Sequence, residues 1–312
     1  MGLKNSLKSR IERVRYGIDT PFEFLLFFVD YLRWCFARKR GFFYPYLVQN
    51  HVACRREREF KKAEYYHIRD AKLPLLDEET RKILWEGTFY SSFYPYCFLN
   101  DCYDEELIKP YEALLKVDFY ELRNEHVDVR VMPDDVVVDA GSWIGDFAAY
   151  ASAKGATVYA FEPGRANFQY LQKTAGLNPG IYPFREGLGA TLGELEMTED
   201  VNSSMGNNFL ISGTGQKEKV RITTIDTLVG EQKLARVDFI KASVQGFEVK
   251  LLQGAQETLR RFAPKVACFY NYYYYPDLPD MDREIEVILK EANPAYRIVR
   301  KRRKLFASVP EK

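Results

Sequence analysis

Several things are scarce in this sequence, and each scarcity excludes something. Its 312 residues include only 3 His and 5 Cys, and 45 Lys+Arg offset 44 Asp+Glu to leave a net charge of +1. A charge so close to zero gives no overall attraction to nucleic acid, and no nucleic-acid partner is expected. The cysteines (Cys35, Cys54, Cys97, Cys102 and Cys268) are odd in number and scattered, which excludes a disulfide framework and points to a reducing, cytoplasmic setting. No C-x-x-C pair supports a metal site from His51, Cys54 and His67, or from Cys97 and Cys102, and none is expected. No stretch reaches the ~18–20 uninterrupted apolar residues of a membrane span. The nearest, residues 21–39, carries Glu23, Asp30 and Arg33. Residues 1–17 lack the apolar centre and cleavage site of a signal peptide. There is no G-x-S-x-G elbow, no phosphate-binding G-x-x-x-x-G-K and no repeat of fixed period, so serine hydrolase, NTPase and solenoid readings fall away.

What is abundant is aromatic: 22 Tyr and 22 Phe help bring the aromatic share to 15%. With 46% hydrophobic and 29% charged residues the composition is globular, and the length favours two units. The pattern changes near residue 127. Residues 1–126 read as a mostly helical region. In it, residues 21–39 are apolar around most of a helical surface and are bracketed by Lys4, Lys8, Arg10, Arg13, Arg15 and then Arg38, Lys39, Arg40. That pattern fits a core helix with solvated charged ends, or a helix resting peripherally on anionic lipid or on a partner. From Val127, residues alternate apolar and charged (Val127, Asp128, Val129, Arg130, Val131), the period of a half-buried strand.

Residues 127–312 then repeat strands and helices. Strands are expected at 136–140, 157–163, 181–187, 237–243, 265–271 and in two C-terminal runs. Helices are expected at 145–155, 165–176 and 247–263, with a hairpin around the polar loop 201–216. Continuous β-branched runs alternating with helices imply a parallel sheet covered on both faces, a Rossmann-like α/β fold. The cations from Arg300 to Lys304 read as a solvated hairpin turn, or as a phosphate or lipid contact.

The most informative stretch runs from Val136 to Asp146 and places Gly141 and Gly145 between the first core strand and a helix. Gly141 would let the backbone approach a ligand, and Gly145 would open the helix towards the same crevice. Glu162 ends the next strand, where such folds hold a ribose by a carboxylate. The two glycines also fit a plain tight turn. A nicotinamide cofactor would call for G-x-G-x-x-G, and the third glycine is missing. Two carboxylates at adjacent strand ends, Asp139 and Glu162, suit a ligand with a nucleoside and a cationic tail.

These segments, with ITTIDTL (222–228) and then VDFIK…GFEVKLLQGA (237–255), resemble the FkbM family of S-adenosylmethionine-dependent methyltransferases over about residues 127–308. The resemblance implies a class I methyltransferase sheet of seven strands, with the last antiparallel. It implies that Asp139, Gly141, Ser142, Trp143 and Gly145 line the methionine and nucleoside part of S-adenosylmethionine. Glu162 would hold the ribose, and Glu186 and Gly187 would sit beside the adenine. It also implies O-methylation of a small-molecule or glycan hydroxyl. Where the family pattern is close to K-x-D-x-E-G-x-E, this chain has Lys241-Ala242-Ser243-Val244-Gln245-Gly246-Phe247-Glu248. Where the family commonly has Tyr-His, it has Tyr270-Asn271, followed by Tyr272 to Tyr275 as a candidate acceptor platform or half-buried packing. Ser243, Gln245 and Asn271 are thus the candidate acceptor-side residues, and none is a base near neutral pH. The expected function is methyl transfer; a catalytically silent cofactor-binding or partner-binding module is the alternative.

Overall fold

The structure is a computed structural model and describes residues 65–68, 71–74, 120–198, 209–210, 217–270, 280–301 and 304–310. Residues 21–39, Asn271 and Tyr272–Tyr275 lie outside the described residues, as do the side chains of His51, Cys54, His67, Cys97 and Cys102. The described residues fall in one compact unit formed by 64–91 and 119–312.

In chain order the strands are β1 (Tyr65–Ile68), β2 (Ala71–Pro74), β3 (Leu122–Arg123), β4 (Asp128–Val129) and β5 (Val136–Ala140). Helix α1 (Asp146–Ala153), β6 (Thr157–Phe161), α2 (Arg165–Leu177), β7 (Ile181–Phe184), β8 (Gly187–Leu188), β9 (Gly193–Thr198) and β10 (Lys217–Thr223) follow. Then come α3 (Ile225–Glu231), β11 (Phe239–Ala242), α4 (Glu248–Gln253), α5 (Gln256–Phe262), β12 (Lys265–Phe269), α6 (Met281–Ala292), β13 (Arg297–Lys301) and β14 (Lys304–Ser308). Seven strands form one sheet in the order β13-β14-β12-β11-β5-β6-β7. From β12 to β7 every neighbouring pair is parallel, whereas β14 runs antiparallel to both β12 and β13. This is the Rossmann-like sheet with a final antiparallel strand.

Side-chain alternation in the central strands explains why both faces are covered. Val138, Ala140 and Ile240 pack in one core with Leu251 and Leu252 of α4, Leu259 of α5 and Ile285 of α6. Val137 and Phe239 point the other way, where Phe147 of α1 meets the Phe239 ring at 5.9 Å. A strand buried on both sides must be apolar throughout, which is why β5 reads as a β-branched run. Among the described residues no helix is long and apolar enough to cross a membrane.

Four local expectations are corrected. The stretch 247–263 is two helices, broken at Gly254, where a Cβ would lie 2.0 Å from the Gly189 carbonyl oxygen and only glycine fits. The broken turn is compensated: Gly254 O accepts from Asp226 N at 3.0 Å, and the Asp226 carboxylate accepts from Glu257 N and Thr258 N. Residues 181–187 are not one strand; β7 ends at Phe184, and β8 joins a separate sheet of order β8-β10-β9. That small sheet includes the expected hairpin, β9 against β10. Within the region read as mostly helical, Tyr65–Pro74 form an antiparallel hairpin instead. Asn178 fastens it to the end of α2, accepting from Lys72 N at 3.0 Å and donating to Lys72 O at 2.7 Å. The C-terminal basic run is not simply solvated. Arg300 pairs with Asp282 and Glu286, and Lys304 is buried with its ammonium 4.3 Å from the Tyr120 ring centroid. The alternation at Val127, Val129 and Val131 holds, since all three are buried.

Candidate active site

The carboxyl ends of parallel strands form the crevice in which ligands of open α/β sheets bind. Here β5 runs into the glycine turn, and Gly141, Trp143 and Gly145 adopt left-handed φ angles of 72°, 51° and 87°. The turn is held by internal hydrogen bonds. Gly141 N and Ser142 N both donate to Phe161 O, at 3.0 and 2.9 Å, and Gly145 N donates to Ser142 O at 2.7 Å. Ser142 Oγ donates to Asp139 O. Trp143 N donates to Glu162 Oε2 at 2.9 Å, and Glu162 Oε1 accepts from Gly164 N and from Asn167 Nδ2. Burial pushes the Glu162 carboxyl up to about 7, against the pull of those donors and of Lys241.

The two glycines serve the chain itself. A Cβ on Gly141 would fall 2.1 Å from the Ser243 carbonyl oxygen, so what approaches closely is the loop after β11. A Cβ on Gly145 would fall 2.8 Å from Leu171 Cδ1, so that glycine seats α1 on α2. The expectation that Gly141 makes room for a ligand is therefore revised: its missing side chain makes room for Ser243.

Asp139 and Lys241 occupy register positions on neighbouring strands. Both are buried, with Lys241 Nζ 3.0 Å from Asp139 Oδ1. Lys241 Nζ also donates to Gly141 O at 2.8 Å. Asp139 Oδ2 is buried with no hydrogen-bond partner among the described residues. Beyond β11, Ser243 and Gln245 are half-buried in a tight loop, with Gln245 and Gly246 at φ 52° and 94°. Glu248 clamps this loop from within, accepting from Val244 N at 2.9 Å. Burial raises its carboxyl to about 7, against backbone N–H donors that include Val244 and Gly246. The Cys268 thiol beneath is pushed up by burial and by Glu248, which leaves it an inert core group.

The structure thus brings Asp139, Gly141, Ser142, Trp143, Gly145 and Glu162 together, with Ser243 and Gln245 on the next strand's loop. Glu186 pairs with Arg221 at 3.2 Å. Gly187 lies in the small sheet, where Ile222 and Phe209 fill the space a Cβ would need. Sequence reasoning passed over Lys241, Asn167 and the clamping role of Glu248. For Lys241 a signal existed: VVVDA and FIKA each carry one ionisable residue inside a buried run, and mutual pairing is what makes such burial tolerable.

The donor set fits S-adenosylmethionine better than a dinucleotide. A diphosphate needs backbone amides, yet those of Gly141, Ser142, Trp143 and Gly145 are all engaged within the protein. A ribose and a cationic tail need carboxylate oxygens. Asp139 Oδ2 has an unmet one, and Glu162, with three donors, retains part of its capacity of about four.

A parallel-rich sheet of this order, with the buried carboxyls of Asp139 and Glu162 beside the glycine turn, defines a Rossmann-like methyltransferase domain. The family model described as Methyltransferase FkbM domain matches residues 135–297, more than half of the chain, and the protein belongs to the FkbM methyltransferase family. It is similar to the hexuronic acid methyltransferase AglP of Haloferax volcanii, 29% identical over 146 residues, covering 45% of this chain and 60% of that protein. It is also similar to the methyltransferase sdnD of Sordaria araneosa, 26% identical over 189 residues, covering 47% and 73%. Among solved structures, an FkbM methyltransferase from Methylobacillus flagellatus KT is 20% identical with a TM-score of 0.44, covering 74% of this chain and 57% of that one. This chain therefore spans about 60% of the length of the hexuronic acid enzyme.

Proposed function

We propose that this protein transfers a methyl group from S-adenosylmethionine to a hydroxyl of a small molecule or glycan in the cytoplasm. The observation that carries the reading is the arrangement of polar groups at the ends of β5 and β6. There the glycine-turn amides are spent internally, while carboxylate oxygens of Asp139 and Glu162 remain for a nucleoside and a cationic tail. When bound, S-adenosylmethionine supplies a methyl group activated on a sulfonium. Glu162 accepts from ribose hydroxyls, and Ser142 and Trp143 shape the turn around the methionine portion. Glu186 and Gly187 stand beside the adenine. The relative that acts on hexuronic acid favours a sugar as acceptor.

Ser243, Gln245 and Asn271 orient the acceptor hydroxyl by donating and accepting hydrogen bonds. They hold the oxygen in line but none is basic near neutral pH, so as the O–CH3 bond forms and the S–CH3 bond breaks the hydroxyl proton passes to solvent water. Loss of one general base typically lowers a rate by ~10²–10⁴-fold. A second reading, a catalytically silent module that binds the cofactor, draws on the same three residues.

Calorimetric titration with S-adenosylmethionine, for the native protein and for Glu162→Gln and Glu162→Ala, tests the cofactor reading. Micromolar binding that weakens in both variants supports it, and absence of binding by the native protein overturns it. The triple variant Ser243→Asp, Gln245→Glu, Asn271→His, assayed on hexuronic acids and their glycosides, separates the two activity readings. Turnover by the native protein supports the transferase. Turnover by the triple variant alone supports the silent module.

A further inference from the structure

The buried ammonium of Lys241 has no role in the reading above, yet it bonds both Asp139 and the glycine turn. It lies 3.0 Å from Asp139 on β5, donates to the carbonyl of Gly141 at 2.8 Å and sits 5.0 Å from the Tyr120 ring centroid. We propose that Lys241 is a positioning residue that ties the glycine turn to β11 and places a positive charge beside the buried carboxyls there, so that cofactor affinity depends on it. The inference rests on the cofactor reading only for its affinity arm.

The geometry supports both halves. The lysine stem starts from β11, in register with Asp139, and its tip reaches the carbonyl where the glycine turn begins. A buried lysine must be paired to be tolerated, and breaking such a pair costs far more than a surface ion pair does. Its field also reaches past Asp139. Burial is the main influence on Glu162 and Glu248, raising both, and the attraction of Lys241 opposes that rise in each. Other charged or titratable groups facing this cluster include Tyr120, which precedes β3, Lys304 of β14, whose ammonium lies on the same Tyr120 ring, and Cys268 of β12, which interacts with Glu248. Lysine 241 therefore couples the cofactor side, through Asp139 and Glu162, to the acceptor-side loop, through Glu248.

The test compares native protein, Lys241→Arg and Lys241→Met by urea unfolding from pH 5 to 9, without cofactor. A carboxyl raised in the folded state contributes stability that fades as pH climbs and levels off above its folded value. The native curve should level off near pH 7, the arginine variant should follow it, and the methionine variant should level off at a higher pH. Affinity for S-adenosylmethionine at pH 7 should fall ~10-fold in Lys241→Met and be largely restored by Lys241→Arg. If Lys241→Met levels off where the native protein does, the charge-holding role is wrong. If its affinity for the cofactor is unchanged, the positioning role is wrong. Should Lys241→Met not fold, Asp139→Asn is compared with the double variant Asp139→Asn, Lys241→Met; equal pH profiles in that pair overturn the proposal, and an upward displacement in the double variant supports it. Because the unfolding curve needs no cofactor, failure of the native protein to bind S-adenosylmethionine would sink the cofactor reading while the curve still decides the charge-holding role. With no binding in the native protein, the claim that affinity depends on Lys241 falls with it.

Discussion

Gly141 and Ser243 belong to loops a hundred residues apart, yet a single added carbon on the first would lie 2.1 Å from the carbonyl oxygen of the second. The contact follows from the parallel pairing of β5 with β11, which ends both strands at the same level, Ala140 opposite Ala242. Ser243 N then donates to Ala140 O at 3.1 Å, drawing the β11 loop across the start of the glycine turn. The glycine turn and the loop after β11 are in this sense one piece of backbone.

Gly141→Ala should therefore damage both at once. The left-handed φ of 72° and the backbone clash together should cost about 2–4 kcal/mol and abolish detectable cofactor binding. Gly176→Ala is the control, since nothing lies within 4 Å of a Cβ inside α2. It should stabilise by ~0.5–1 kcal/mol with binding unchanged. Urea unfolding and calorimetry read both effects.

Glu162 has its folded value raised to about 7 from an ordinary 4.5, so its contribution to stability is fully present below 4.5 and is lost as pH rises through 7. Glu248 behaves in the same direction. Between pH 5 and 8 the protein should lose on the order of a few kcal/mol, and Glu162→Gln should flatten part of that slope. Cofactor affinity should run the opposite way, rising through about pH 7 as Glu162 becomes the better acceptor for ribose hydroxyls. A stability curve that climbs over this range would contradict the assignment.

Asn178 is buried and pairs with both backbone groups of Lys72. Asn178→Ala should cost ~1–3 kcal/mol by leaving those groups unsatisfied. Because Asn178 follows the end of α2 opposite the one nearest Glu162, affinity for the cofactor should stay within about twofold of native. Hydrogen exchange of the β1–β2 hairpin should accelerate selectively, and unchanged protection there would show that other contacts hold it.

Asp226 accepts from Glu257 N, Thr258 N and Thr258 Oγ1 at the start of α5. Asp226→Ala should lower stability by ~1–2 kcal/mol, read by thermal melting, and leave the crevice intact. Any large loss of cofactor affinity would mean that the break at Gly254 is coupled to the site.

Much of the fold was legible because its signals are local. The β-branched run Val136–Val138, the hairpin either side of 201–216 and the helix starts after Gly145 and Gly164 are periodicities within a few residues. The position of Glu162 at a strand end follows from the same kind of pattern. The break in 247–263 was not legible, because Gly254 is demanded by Gly189, a residue far away in the chain. The hairpin at Tyr65–Pro74 was missed for a related reason: it is pinned by Asn178, and its own sequence carries no strong turn signal.

By itself, then, the sequence determined the alternation of strands and helices, the glycine turn and the carboxylate that ends the second core strand. The tertiary structure decided why Gly141 must be glycine, why Lys241 can be buried, and which loop Glu248 organises. The physical reason is register. Pairing β5 with β11 sets Asp139 opposite Lys241 and Ala140 opposite Ala242. A slip of one residue would turn these side chains to the other face, and local periodicity is the same before and after such a slip.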